Sequence, residues 1–176
     1  CLCHDLGKGT TPADVLPRHI GHEERSARLL KGVCERWRVP RDCRELADVV
    51  AREHGNIHRS DGLGAAALLR LLERCDALRR PERFDEVLLA CECDARGRLG
   101  FGEQAYPQRA RLQGALRAAQ SVDSGDIARQ VMQQIARSRE NVADLPAADT
   151  GPRIAQALHA ARAAAVALAL KTEHPT

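Results

Sequence analysis

The sequence predicts an all-α chain, and three observations carry that expectation. Apolar residues recur three and four apart along several segments, as they do on one face of a helix. No segment alternates convincingly with period two. Ala, Leu and Arg are abundant, whereas Val, Ile, Thr and aromatic residues are sparse, a composition that favours helix over sheet.

The elements follow in order. Leu2 and Leu6, four apart, mark an apolar face of a first helix, which Gly7 and Gly9 are expected to end. Residues 10–17 are a polar loop with two prolines. A helix over 21–36 carries Ala27, Leu30, Val33 and Cys34, with Trp37 just beyond, and Val39-Pro40 breaks it. A helix over 41–54 turns Cys43, Leu46, Ala47 and Val50 inward, and Gly55-Asn56 is expected to interrupt it. Gly62-Leu63-Gly64 opens a helix over 65–75, whose apolar side is Leu68, Leu69, Leu71 and Leu72. Pro81 starts another at the first-turn position that Pro tolerates, running to about 94. A glycine-rich loop covers 96–102. Three more helices are expected over 107–119, 126–137 and 152–171. The last carries Ile154, Ala157, Leu158, Ala161 and Ala165 on one side, as a helix packed on a bundle would. There is no convincing internal repeat. A boundary is expected near residue 101, dividing a domain over 1–100 from a helical C-terminal extension over 101–176.

Composition narrows the function classes. The chain has 176 residues, enough for a buried core in one domain. Its net charge of +3 suits a phosphate-bearing partner. Two Phe, one Trp and one Tyr argue against recognition of single strands by base stacking. No run is long and apolar enough to span a membrane, since the Ala-rich stretch 160–170 is interrupted by Arg162. No secretory signal is legible at the start. The chain lacks an initiating Met and opens inside an apolar helical pattern, so a piece of a longer protein is expected. Seven cysteines are an odd number without the Cys-x-x-Cys spacing of a zinc ribbon. They read as small buried hydrophobes in a reducing cytoplasm.

The chemistry concentrates at the start, in His4-Asp5-Leu6-Gly7-Lys8-Gly9. A neutral imidazole suits transition metals, and a carboxylate suits both those and harder ions. On a helix the pair would lie about 100° apart, close enough to converge on one centre. Lys8 is a ready phosphate contact. His22, His54 and Asp76 also fall at or near expected helix ends, where a bundle can bring them to one mouth; His19 and His58 are spares. Asp76 has a plainer use, pairing with Arg79 or Arg80 on its own segment. Asp94 competes with it for the site, and has Arg96 and Arg98 as close partners. Other motifs fail. Gly7-Lys8-Gly9-Thr10-Thr11 lacks the spacing of a phosphate-binding loop and has no strand before it. There is no Gly-x-Ser-x-Gly elbow. Nothing reads as the paired-carboxylate centre on a sheet that nucleotidyl transfer needs.

His4-Asp5-Leu6-Gly7-Lys8-Gly9 resembles the signature of HD-domain metal phosphohydrolases. Further stretches, in order, are Pro17-Arg18-His19-Ile20-Gly21-His22-Glu23, Arg52-Glu53-His54 with His58, Asp76-Ala77-Leu78-Arg79-Arg80-Pro81-Glu82-Arg83, and Cys93-Asp94-Ala95-Arg96-Gly97-Arg98. Together they resemble the C-terminal HD region of bacterial CCA-adding tRNA nucleotidyltransferases, over essentially the whole chain. The resemblance implies an HD helical bundle. It implies His4 as a metal ligand, Asp5 as a bridging ligand, His22 and His54 as ligands of a second metal, and Asp76 as the closing ligand. It also implies a divalent cation (Mg or Ni, with Mn and Co as alternatives) and hydrolysis of 2′,3′-cyclic phosphodiesters and 2′-phosphates, with Asp5 and Lys8 in the catalytic machinery. Lys8, Arg79, Arg96 and Arg98 would hold phosphate oxygens. The family takes one more His from a helix before the pair, which this sequence does not contain, and Gly55 stands where close relatives carry an Asp. The alternative it leaves is a module that keeps the scaffold without the activity and supports tRNA binding. Arg109, Arg111, Arg117, Arg129, Arg137 and Arg139 would face phosphates, and exposed faces permit a dimer.

Overall fold

The structure is a computed structural model that describes residues 1–141 and 150–173. It is all-α, and no strand occurs among the described residues. Among the described residues seven helices follow one another: α1 (His22–Arg36), α2 (Arg41–His58), α3 (Ala65–Arg74), α4 (Pro81–Arg96), α5 (Pro107–Gln120), α6 (Ser124–Asn141) and α7 (Thr150–Glu173). Short 3-10 segments lie at Leu6–Thr10 and Ser60–Gly62.

The apolar periodicity explains what is buried. Ala27, Leu30 and Cys34 on α1, Val50, Ala51 and Ile57 on α2, and Phe84, Val87, Leu88 and Cys91 on α4 all recur at helical spacing and are buried. Leu68, Leu69, Leu71 and Leu72 on α3 are fully buried. On α5 the buried set is Leu112, Ala115, Leu116 and Ala119. The cysteines divide. Cys34, Cys75 and Cys91 are buried, as expected, but Cys1, Cys43 and Cys93 are exposed; all seven are free thiols. No helix among the described residues is long and apolar enough to cross a membrane.

Two compact units form. The first comprises Cys1–Leu63 and Arg70–Gln113, and the second Gly64–Leu69 and Gly114–Thr176. Within the first, the 3-10 segment packs on α1, α1 on α2, and α2 on α4; within the second, α6 packs on α7. The first unit thus extends past residue 101, to Gln113. Residues 101–113 belong with the first unit because their polar side chains are spent there. Gln108 donates to Asp61 and to the carbonyl of His58, Arg109 to Glu92, and Arg111 to the carbonyls of Ser60 and Leu63.

Two local expectations are corrected. Residues 2–5 form turns and residues 6–10 a 3-10 helix, so Gly7 and Gly9 do not end an α-helix. Gly7 is instead buried against α1: its N–H donates to Ser26 Oγ at 2.9 Å and its carbonyl accepts from Arg25 Nε at 3.1 Å. Gly55-Asn56 does not interrupt α2, which runs on to His58. Tertiary contacts hold that last turn. Ile57 is fully buried, and Glu53 accepts from Asn56 and takes two hydrogen bonds from Arg74. That outweighs the roughly 1 kcal/mol by which glycine disfavours helix.

Candidate metal centre

His4 and Asp5 lie in the turn just before the 3-10 segment. His22 is the first residue of α1, His54 and His58 are in the last turns of α2, and Asp94 is near the end of α4. Gly7 brings the first pair to the rest. A β-carbon there would stand 2.2 Å from the carbonyl oxygen of His22 and 2.7 Å from the nitrogen of Ser26. Only glycine lets the His4-Asp5 turn approach α1 this closely.

The histidines are oriented from behind. His4 Nδ1 lies 2.5 Å from the carbonyl of Cys1, His22 Nδ1 2.8 Å from that of His19, and His54 Nδ1 3.0 Å from that of Val50. A carbonyl on Nδ1 places the proton there and leaves Nε2 as a lone-pair donor. All three Nε2 atoms converge on Asp5. Its Oδ1 is 3.3 Å from His22 Nε2 and 3.5 Å from His54 Nε2, and its Oδ2 is 3.3 Å from His4 Nε2. Lys8 Nζ closes on Oδ2 at 2.5 Å. One donor atom each from His4, Asp5 and His54 fits within 4.8 Å of the others.

His4 Nε2 and Asp5 Oδ1 are buried and make no hydrogen bond. Two buried polar atoms without hydrogen bonds are costly unless something else satisfies them. The donor set is imidazole and carboxylate, which suits a divalent first-row ion. The electrostatics agree. Burial pushes the Asp5 carboxyl up, but the hydrogen bond from Lys8 and the charges of His4, Lys8 and His54 outweigh it and hold the group below its ordinary value. Burial and the neighbouring His4 lower the His54 imidazole, against the hydrogen bond to Val50 and the Asp5 charge. Both shifts favour the protonation states that ligate metal, carboxylate and neutral imidazole.

The remaining candidates separate. Asp76 does not join this cluster. It is the left-handed residue, φ 55°, that ends α3, and Ala77 N–H reaches back over it to the Leu72 carbonyl at 2.9 Å. Its carboxylate takes two hydrogen bonds from Arg79, at 3.0 and 2.8 Å, with Arg80 and Arg83 close by. The second carboxylate at the histidines is Asp94. Its Oδ1 lies 3.3 Å from His4 Nε2 and its Oδ2 2.9 Å from His58 Nε2. His58 is thus no spare: its other nitrogen meets Tyr106 Oη at 2.9 Å. Tyr106 escaped the sequence reading because nothing local ties it to a residue 48 positions earlier. His19 stands behind His22, with Nδ1 2.7 Å from Thr11 Oγ1.

Of the expected phosphate contacts, Lys8 is at the centre. Arg98 lies 3.9 Å from Asp94, while Arg96 is tied to Glu92 and the Gln104 carbonyl. Arg79 is engaged by Asp76. Among the arginines read as an RNA surface, Arg109 and Arg111 are used internally, as above, and Arg129 pairs with Asp126. Arg117 and Arg137 are exposed, and of Arg139 only the helical backbone is described.

The ends of α3 and α4 make one prediction. The Arg79 hydrogen bond holds the Asp76 carboxyl below its ordinary value of 3.8, outweighing the opposing effect of burial. A depressed carboxyl stabilises the fold above the unfolded value and loses that contribution as pH falls through the folded one. Asp76→Asn, which still tolerates a left-handed backbone, is expected to cost up to about 1 kcal/mol at pH 7 and nothing in strong acid. Urea unfolding at the two pH values measures this; the same variant should bind divalent metal as the parent does.

Histidines and carboxylates from one turn and from the ends of three helices meet at one point, a metal-donor set of the His-Asp type. The chain belongs to the HD domain family, whose description matches residues 1–96. Its relatives include the Multifunctional CCA protein of Acidovorax sp., 65% identical over 167 residues, which are 95% of this chain and 36% of that protein. That of Paracidovorax citrulli is 79% identical over 127 residues, 72% of this chain and 30% of the relative. That of Ralstonia nicotianae is 60% identical over 168 residues, 96% and 35% respectively. The chain thus spans about a third of the length of these relatives. No solved structure matches it.

Proposed function

We propose that this chain is the HD phosphohydrolase region of a CCA-adding tRNA nucleotidyltransferase. It hydrolyses 2′,3′-cyclic phosphodiesters and 2′-phosphates of nucleotides or RNA. The parent protein, on this reading, acts in the cytoplasm in tRNA 3′-terminal CCA addition and repair. The observation that carries the activity is the convergence of His4, Asp5 and His54, in which His4 Nε2 and Asp5 Oδ1 are buried and make no hydrogen bond. The kinship to proteins named for CCA supports the setting.

His4, Asp5 and His54 would hold a divalent ion, with His22 and Asp94 adjoining, and such an ion would supply Lewis acidity toward a phosphate ester and a water of lowered pKa. The chain's own residues do the rest. Carbonyls behind the rings hold each imidazole in its donating tautomer. Lys8, part-exposed beside Asp5, offers its ammonium to a phosphate oxygen. His58, held between Asp94 and Tyr106, fixes the Asp94 carboxylate toward His4. In hydrolysis of the cyclic ester a water oxygen bonds to phosphorus, one ester P–O bond breaks, and the freed ribose oxygen takes a proton.

The test is hydrolysis of 2′,3′-cyclic AMP with Mg²⁺, Mn²⁺, Co²⁺ and Ni²⁺ in turn. Product is expected with at least one ion and is expected to vanish with chelator and in His54→Ala. No product with any of the four would overturn the hydrolase reading.

A further inference from the structure

Beside the metal centre lies a cavity of about 270 Å³, lined in part by His58, Arg98, Phe101, Tyr106 and Gln108. Its volume, near the lower end of ligand sites, suits one nucleoside rather than an oligonucleotide. Arg98 is shared: it also lines the opening that contains His4 and Asp94. His58 joins the two from the inside, since its Nε2 lies 2.9 Å from Asp94. A group whose phosphate sits at His4 and Asp5 would therefore have this cavity next to it.

Two features of the cavity are otherwise unexplained. Gln108 Oε1 is buried and has no hydrogen-bond partner. Its amide orientation is settled, because Nε2 donates to two acceptors, Asp61 Oδ2 at 2.8 Å and the His58 carbonyl at 3.3 Å. The orphaned atom is thus an acceptor that needs a donor. The second feature is aromatic. The chain has only two Phe, one Trp and one Tyr, yet Phe101 and Tyr106 both line this cavity. Phe101 is 44% exposed, an apolar face left open to solvent.

We propose that this cavity is the nucleoside subsite of the enzyme, in which Phe101 stacks on the base, Gln108 Oε1 accepts an N–H of the base, and Arg98 holds the phosphate toward the metal centre. The proposal deepens the phosphohydrolase reading and rests on it for the identity of the substrate. It makes the enzyme select nucleotides over base-free phosphates, through an acceptor and a ring rather than through charge.

The test compares adenosine 2′-monophosphate with inorganic phosphate in calorimetric titrations of the whole chain. The same proteins are assayed for KM and kcat on 2′,3′-cyclic AMP. Phe101→Ala is expected to weaken adenosine 2′-monophosphate about tenfold, within the range a stacked base loses on alanine substitution. It should leave phosphate binding alone, and Phe101→Trp should restore the affinity. Gln108→Leu is expected to raise KM with little change in kcat; because it also breaks the bonds to Asp61 and His58, exposed Phe101 carries the decision if the Leu variant misfolds. Unchanged nucleotide affinity in Phe101→Ala, or an equal loss for inorganic phosphate, would overturn the subsite while hydrolysis stood. Nucleotide binding that depends on Phe101 in a protein without hydrolysis would support the subsite and sink the hydrolase reading instead.

Discussion

Asp5→Asn is expected to weaken divalent-metal binding by more than about 100-fold, the upper end of what loss of a mere outer partner costs. The reason is geometric. Oδ1 of Asp5 meets His22 and His54, and its Oδ2 meets His4 and Lys8, so one carboxylate ties every donor together. An amide keeps the shape but removes the charge, and its nitrogen is not a ligand. Hydrolysis of 2′,3′-cyclic AMP should fall with the metal. The fold should persist, because Asp5 contributes no buried apolar surface and Gly7 still anchors the turn. Titration calorimetry with Mn²⁺, alongside circular dichroism, makes the measurement. Metal affinity equal to that of the parent would remove Asp5 from the centre and with it the assignment of the site.

Gly7→Ala is expected to be strongly destabilising. The new β-carbon meets backbone on two sides, the His22 carbonyl at 2.2 Å and the Ser26 nitrogen at 2.7 Å, with Arg25 Cβ at 2.8 Å. None of these is the movable end of a long side chain. Either the turn lifts from α1, breaking the hydrogen bonds to Ser26 and Arg25, or α1 shifts and carries His22 with it. The expected loss is about 3 kcal/mol, a fall in Tm on the order of 10 °C, with weakened metal binding even where the protein is folded. Gly9→Ala is the control, since a β-carbon there meets nothing within 4 Å. If both variants melt together with the parent, the close approach of turn to helix is wrong.

The contrast between those glycines shows where a sequence stops being informative. Gly7 and Gly9 look alike in the chain, and both read as helix stops. One is a packing requirement and the other is not, and the difference is made by α1, fifteen residues on in the sequence but in contact in space. Gly55 went the same way. Local propensity said that α2 should end there; the burial of Ile57 and the Glu53–Arg74 pair carried it one turn further, and that extra turn is what delivers His58 to Asp94.

By itself the sequence determined the helical class, the apolar face of α3, the buried residues Ala27, Leu30 and Cys34 of α1, and the pairing of His4 with Asp5. These follow from period and composition, which act through neighbours three and four positions away. On α2 the same reasoning took Cys43 as inward, and that residue is exposed. Order and residue type also made His22 and His54 legible as candidates. Only the tertiary structure decided between Asp76 and Asp94. Both are aspartates near helix ends with arginines close in the chain, so local reading cannot separate them. Asp76 ends α3 in a left-handed turn and is captured by Arg79, whereas Asp94, on a helix packed against α2, meets His4 and His58. A metal centre is made by directions in space between distant segments, and those directions exist only once the helices have packed.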